Sequence, residues 1–437
     1  MAASRVTNLR AVNPPADPLS PRVTIFTPSH QPRFLDDCLR SLLAQTRSDW
    51  EWVVVLNQGA RWRPIKGDPR IRVIVKDELT GVGATKRFAC GEARAEILVE
   101  LDHDDELRCD AIELIVKAFD DHPEVCFVYS HSAQITEDGS RDDTRWDEAH
   151  GWTYRDTRVN DRAVLQVDSL EPSPHNVSYI WYAPNHVRAF RTSTYEMAGG
   201  YAAARDVLDD QDLMCRLYQL GEFHHIEECL YLQRVHTRNT QSDTAINARI
   251  QQETVELYDR YVQPCALAWA GRRDLAALDL GAAYNKPPGY LGLDRDAGDG
   301  VDIVADVSTG IDLPDSSVGV IRAVDFLQHI PDKISLFNEF YRVLAHGGLL
   351  LSLTPSTDGR GAFQDPTHVA YYNENSFWYF TNAEFARFLP QITGRFQVSR
   401  LVTYFPDDWH REHAISYVCA NLIAIKDGPR QGGILTI

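Results

Sequence analysis

The run Asp102-His103-Asp104-Asp105 follows directly on the apolar segment Ile97–Leu101. Carboxylates two apart at the end of a strand can hold a hard Mg2+ or Mn2+ ion with positions left open for phosphate oxygens. An acidic turn of this kind also serves as a solvated loop or a helix cap, so its neighbours decide its meaning. A second acidic run, Asp209-Asp210-Gln211-Asp212, opens a helical pattern, where negative charge favours the N-terminus and a carboxylate can also accept a proton. His236, in Arg234-Val235-His236-Thr237, is a third candidate, as a ligand or as a plain hydrogen-bonded residue. Trp146, Trp152, Trp181 and Tyr182 offer aromatic faces for a ring-shaped ligand or anchors for a loop, and the anchor role ranks first.

Elements of alternating type must position these groups. Val23–Phe26, Trp52–Leu56, Ile71–Val75 and Ile97–Leu101 are predominantly apolar runs, as expected for strands buried on both faces of a mostly parallel sheet. Phe34–Gln45, Gly83–Ala93 and Ala111–Phe119 supply helices between or after them. The pattern predicts a doubly wound α/β domain whose ligands sit outside the carboxyl ends of the strands. From about 137 to 185 it loosens into polar sequence rich in aromatic residues, read as a functional loop. Asn247–Val262 predicts a helix leaving this domain, punctuated by Pro264 and Gly271. A second α/β series starts at Leu278, with strands at Leu278–Leu280, Tyr290–Leu293, Ile303–Ala305, Val320–Ala323 and Leu349–Leu353 and a helix at Ile334–Leu344. The expected organisation is a flexible leader at 1–20, a first domain at 21–245, a helical linker at 246–272 and a second domain at 273–437.

Bulk composition narrows the partners. The 437 residues exceed the usual span of one hydrophobic core, and 44% apolar with 24% charged residues is globular. A net charge of -18 disfavours nucleic acid, which is normally bound by clustered Lys and Arg. The eight cysteines are dispersed without metal-ligand spacing and point to a reducing, cytoplasmic compartment. No apolar stretch approaches the roughly 20 residues of a transmembrane segment.

Five segments carry a resemblance: Val23-Thr24-Ile25-Phe26-Thr27-Pro28-Ser29-His30, Leu39–Thr46, Trp50–Val55, Gly81-Val82-Gly83-Ala84-Thr85-Lys86-Arg87 and Leu101–Asp105. In order and spacing they resemble family-2 glycosyltransferases of GT-A type, over about residues 20–240. The resemblance implies an inverting transfer of a sugar from a nucleotide-diphosphate donor to a hydroxyl acceptor, expected to be a saccharide. By it, Thr27 and Pro28 border the nucleotide pocket, Lys86 stands on the diphosphate side, and Asp102 and Asp104 serve donor and metal. His236 completes the metal's coordination or touches the diphosphate. Met197–Tyr201 with Asp209–Leu213 looks like the acceptor-side motif, with Asp210 as general base. The family's acidic pair after the second strand is replaced by Leu56-Asn57; Asn57 can pair with a base edge through its amide, and UDP remains the favoured nucleotide. The rival functions are a non-catalytic sugar or nucleotide binding module and a nucleic-acid-modifying glycosyltransferase.

Leu278-Asp279-Leu280-Gly281, Gly292-Leu293-Asp294, Val304-Ala305-Asp306 and Phe340–Leu350, with Asp365-Pro366-Thr367-His368, resemble a class I methyltransferase of Rossmann-like fold. S-adenosylmethionine would then lie on Gly281 and Asp294, with Asp306 near the adenine. The connection from Gly281 to Asp294 is too short for the usual helix and contains Pro287-Pro288. The domain is therefore either an enzyme with a weakened cofactor site or a scaffold.

Overall fold

The computed structural model describes residues 20–65, 67–237, 243–283, 286–428 and 431–433. The expected leader, apart from Ser20, lies outside the described residues.

The first sheet starts with the apolar runs. Strands β1 (Val23–Ser29), β2 (Trp50–Leu56), β3 (Ile71–Val75) and β4 (Ile97–Glu100) pair in parallel in the order β3-β2-β1-β4. Val23, Ile25, Trp52, Val54, Ile97 and Val99 are fully buried on one face, where α1 (Leu35–Leu43) contributes Leu35, Cys38, Leu39 and Leu42. Further strands are β5 (Glu106–Leu107), β6 (Val125–Thr136), β7 (Tyr154–Val159), β8 (Arg162–Val167), β9 (Arg188–Arg191) and β10 (Glu222–Val235). β9 runs antiparallel to β4 and β6, and β10 lies parallel to β6. The segment read as one long functional loop in fact contains the β7–β8 hairpin and the short helix α4 (Pro174–Ser178), found after α2 (Val82–Gly91) and α3 (Ala111–Asp121). Its period-2 signal was masked by Arg155, Asp156, Arg158 and Arg162, which sit on the water-facing hairpin.

After α5 (Thr192–Met197) and α6 (Asp209–Tyr218) comes α7 (Thr244–Arg272), which continues through Pro264 where the sequence predicts an interruption. Proline inside a helix costs about 3 kcal/mol. Burial of Cys265, Ala266, Trp269 and Ala270 just beyond it offsets that cost, because each deeply buried apolar side chain contributes about 1.5–3 kcal/mol. These residues pack on Ala277, Val320, Leu349 and Ile423 of the second sheet and on Val177, Tyr179 and Tyr182 of the first domain. The close approach is tight enough that a Cβ at Gly319 would stand 2.5 Å from the Ala270 methyl. The connector is thus a shared core element.

The second sheet comprises β11 (Ala276–Leu280), β12 (Leu291–Asp294), β13 (Ile303–Val304), β14 (Val318–Val324), β15 (Leu344–Pro355), β16 (Phe396–Tyr404) and β17 (Tyr417–Ala424). Its order is β13-β12-β11-β14-β15-β17-β16, parallel up to β15, with β17 antiparallel to both neighbours. Helix α8 (Lys333–Val343) covers it through Leu336, Phe337 and Phe340. The short connection between β11 and β12 is a turn on either side of residues 284 and 285, so α7 supplies cover that a crossover helix would normally give.

Candidate functional site

The carboxyl ends of β1, β2 and β4 bring Pro28, Asn57 and Asp102 to one edge, with Asp104 two residues further on. Cation and base positions arrive from elsewhere. Gly83 begins the mechanism of that placement: a Cβ there would lie 2.3 Å from the Ala202 carbonyl oxygen, and its N–H donates to Arg205 O at 3.0 Å. α2 is therefore pressed against the loop that leads into α6, one turn below which Lys86 meets Asp209. Leu208, in the left-handed region at φ 57° and buried, ends that loop and starts α6 at the acidic pair. Such a conformation costs a non-glycine residue about 1–3 kcal/mol and is held by surrounding packing, here Leu257 of α7.

At the centre lies Glu100, 1% exposed. Its two oxygens accept from Arg188 Nε and Nη2 at 3.1 Å, from Lys86 Nζ at 2.7 Å and from the Tyr201 hydroxyl at 2.6 Å. Burial would raise the Glu100 carboxyl, but Arg188 and then Lys86 prevail and hold it well below the usual carboxylate range. Lys86 also binds Asp209 at 2.8 Å, and Arg188 binds Asp210 at 2.9 Å and stands 3.9 Å from Asp102. Withdrawal from water, then the charge of Glu100, push the Asp102 carboxyl up to about 6. One buried network therefore ties the strand-end acid to the acidic pair of α6 across more than a hundred residues of sequence.

Asp209 and Asp210 are distinguished by exposure. The Asp209 side chain is 6% exposed and closed onto Lys86, with burial raising its carboxyl; that of Asp210 is 19% exposed at the rim. Asp210 is the member that a solvent-borne hydroxyl can reach.

Beside this network, Asp104 Oδ2 meets His236 Nε2 at 3.0 Å, and the Phe34 ring lies 5.6 Å from the His236 ring. His30 and His103 rings approach edge-on at 5.3 Å from the same edge. Asp104 and His236 thus form one wall with Asp102 on the adjoining turn. A different trio, Asp102, Asp105 and His186, has ligand atoms within 4.8 Å of one another. Asp105 there already accepts from the Arg234 backbone N–H at 2.7 Å, and His186 is buried against the Tyr231 ring at 4.1 Å. That trio is thus built into the core, while Asp104 and His236 pair with each other, their side chains 11% and 7% exposed.

Three expectations change. Thr27 is fully buried; its hydroxyl donates to Leu101 O at 2.7 Å and accepts from Trp52 Nε1 at 2.8 Å, so it joins β1 to β4 and faces no ligand. Lys86 is enclosed by Glu100 and Asp209, which leaves its ammonium positioning the acidic pair instead of lying open to a diphosphate. Asn57 Nδ2 donates to Leu79 O and Thr85 Oγ1, so both amide hydrogens are engaged and only its carbonyl oxygen is left for a base edge. Trp181 and Tyr182 belong to the aromatic cluster between the sheets, with Tyr179 stacked on Tyr258 at 4.4 Å, and Trp146 leans on Trp152 at 5.0 Å. Glu100 and Arg188 were missed from sequence, and Tyr201 was read only as the end of the acceptor-side motif. The one signal was Glu100 itself, a charge ending an otherwise apolar strand, which demands a buried partner.

In the second sheet, Leu280 and Leu293 are in register, so Gly281 and Asp294 emerge side by side. Gly281 has φ 75°, and a Cβ there would meet the Phe326 ring at 3.2 Å. Asp294 Oδ1 accepts the Asp296 N–H at 3.1 Å, and Asp306 caps the turn at Val307–Thr309 through Ser308 N–H. Asp279, one residue before Leu280, is paired with Arg322 at 2.6 Å.

Residues 24–179 match the family model described as glycosyl transferase family 2, and residues 283–352 match that of a methyltransferase domain. The chain is 23% identical over 228 residues to a chondroitin synthase of Pasteurella multocida, covering 50% of this chain and 21% of that protein. It is 30% identical over 100 residues to a putative teichuronic acid biosynthesis glycosyltransferase of Bacillus subtilis, covering 21% and 40%. The chain thus spans about a fifth of the length of the first curated relatives it matches. Among solved structures, TarS of S. aureus overlaps 58% of this chain and 71% of its own at 11% identity and a TM-score of 0.39. No helix of the described residues is long and apolar enough to cross a membrane. The chain thus joins a region that matches glycosyl transferase family 2, built on the first sheet, to a region that matches a methyltransferase domain, built on the second.

Proposed function

We propose that the first domain transfers a sugar from a nucleotide-diphosphate donor, with UDP favoured, to a saccharide hydroxyl with inversion at the anomeric carbon. The observation that carries this reading is the Asp210–Arg188–Glu100–Lys86–Asp209 network, which brings a partly exposed carboxylate to the edge where Asp102 and Asp104 stand. Asp210 takes the proton as the acceptor oxygen bonds to the anomeric carbon and the bond to the diphosphate breaks. Arg188 fixes the Asp210 carboxylate, and Lys86 fixes its neighbour. Asp102 and Asp104, with His236 beside them, would hold Mn2+ or Mg2+, which when bound neutralises charge on the departing diphosphate. Relatives named chondroitin synthase and hyaluronan synthase support a saccharide as acceptor. All eight cysteines are free thiols, in keeping with work in the reducing cytoplasm. In the second domain, Gly281 and Asp294 would hold S-adenosylmethionine, a methyl donor, at adjoining strand ends.

The test is hydrolysis and transfer with a set of nucleotide sugars, in Mn2+ and in excess chelator. A donor turned over only with metal supports the reading. Equal turnover in chelator removes the metal, and no binding of any nucleotide sugar at millimolar concentration removes the donor class.

A further inference from the structure

The second domain has a cavity of about 200 Å3 beyond the carboxyl ends of β14 and β15. It is too small for a drug-sized ligand, for which pockets of about 300–1,000 Å3 are usual, and has room for a single ring with its substituents. Its polar lining comes from Asp325, Gln328, His329, Gln364, Asp365, His368 and Tyr417. No Lys or Arg side chain lines it. Gln328 is 2% exposed, and its Oε1 has no hydrogen-bond partner among the described residues. A buried amide oxygen left so is costly and calls for a donor from outside.

His368 is set in one tautomer. Its Nδ1 lies 2.9 Å from the Ala362 carbonyl oxygen, which can only accept, so Nδ1 carries the hydrogen and Nε2 of the neutral ring is an acceptor. Tyr417 and Asp325 line the cavity together, and burial, then the Asp325 charge, push the Tyr417 hydroxyl above its ordinary range. Hydroxyl groups, each a donor and an acceptor, match a lining of carboxylates, an amide oxygen and an imidazole nitrogen.

The rim supplies the complementary surface. Phe363 and Tyr371 stack at 5.2 Å and are 61% and 43% exposed. The Tyr371 hydroxyl donates to His368 O, which fixes this platform to the cavity wall. An exposed aromatic pair beside a hydroxyl-matching cavity fits a ring with one apolar face and a polar edge.

We propose that this cavity binds one neutral sugar unit, its ring against Phe363 and Tyr371 and a hydroxyl directed to His368 Nε2. Asp325 and Asp365 make an anionic sugar an unfavourable occupant. The proposal depends on the first domain's reading only for the origin of such a sugar; the cavity stands on its own residues.

The test is saturation-transfer NMR on the full chain with methyl glycosides of glucose, galactose and N-acetylglucosamine, and methyl glucuronide as the anionic counterpart. At least one neutral glycoside is expected to bind with millimolar Kd, and the glucuronide at least tenfold more weakly. Phe363→Ala and Tyr371→Ala, both at exposed positions, should weaken that binding at least fivefold with an unchanged melting curve. Asp210→Asn should leave it intact, so a failure of sugar transfer by the first domain is seen separately. Absence of binding by every neutral glycoside at 50 mM, on the order of ten times a typical millimolar Kd, would overturn the proposal. So would equal binding of the glucuronide, or binding lost in Asp210→Asn and retained in both aromatic variants.

Discussion

The two sheets treat their strand-end carboxylates in opposite ways. In the first, Glu100, Asp209 and Asp210 are closed into a network with Lys86 and Arg188, and removing Glu100, Lys86 or Arg188 strands a charge in the interior. In the second, Asp294 and Asp306 use their oxygens on backbone N–H groups one turn away and face water. Buried ion pairs add little net stability, but breaking one leaves an uncompensated charge. The contrast therefore separates a site whose geometry is fixed before any ligand arrives from one whose acids are free to reorient. Rigid support of this kind is what proton abstraction and in-line attack require.

The sharpest way to break that contrast is Arg188→Ala. It removes both hydrogen bonds to one side of Glu100 and the fixing contact on Asp210, and should destabilise the fold by about 3–5 kcal/mol, read by urea unfolding. A loss below about 1 kcal/mol would mean that Lys86 and Tyr201 suffice and that the network is not cooperative. Asp210→Asn keeps the shape and removes the proposed base. Transfer should fall by about 10²–10⁴, with nucleotide-sugar affinity within a factor of two of the parent by calorimetry. Transfer within a few-fold of the parent would move the base to another group. Asp104→Ala should abolish the metal-dependent part of nucleotide binding, and unchanged binding in chelator would contradict it.

The second domain sharpens the comparison at smaller effect. Gly319→Ala places a methyl 2.5 Å from Ala270 and should cost about 1–3 kcal/mol, because α7 is held between α4, α6 and the second sheet and cannot easily shift. A neutral result would show that α7 is a loose connector. Asp294→Ala is the mildest. The melting curve of the protein alone should not move, since the carboxylate supports only a surface turn. Titrated S-adenosylmethionine should bind several-fold more weakly than to the parent, for which a Kd of tens of micromolar or poorer is expected given the missing crossover helix. No heat and no thermal shift at millimolar concentration would assign the domain a scaffold role.

Both sheets were legible in the sequence because their central strands are buried on both faces, so Trp52–Leu56 is apolar without interruption and Val23–Phe26 and Leu349–Leu353 are broken only by the small polar residues Thr24 and Ser352. The placement of Asp102, Asp104, Gly281 and Asp294 at strand ends follows from those same runs. The course of α7 through Pro264 was not legible, since the local rule against interior proline is overridden only by contacts with α4 and α6 of the first domain and with the second sheet. The hairpin at 154–167 was hidden because one of its faces is solvated.

For the site, the sequence by itself determined which carboxylates could act and on which elements they lie, because strand ends and helix starts are set by residues within a few positions. The tertiary structure alone decided their states. Arg188 comes from an antiparallel strand inserted beside β4, and Lys86 is brought under Asp209 by the contact at Gly83. Thr27 and Asn57 turned inward for the same reason: their polar atoms found partners on neighbouring strands and turns. Charge pairing in an interior depends on distances between segments far apart in the chain, and no local pattern of residue types encodes those distances.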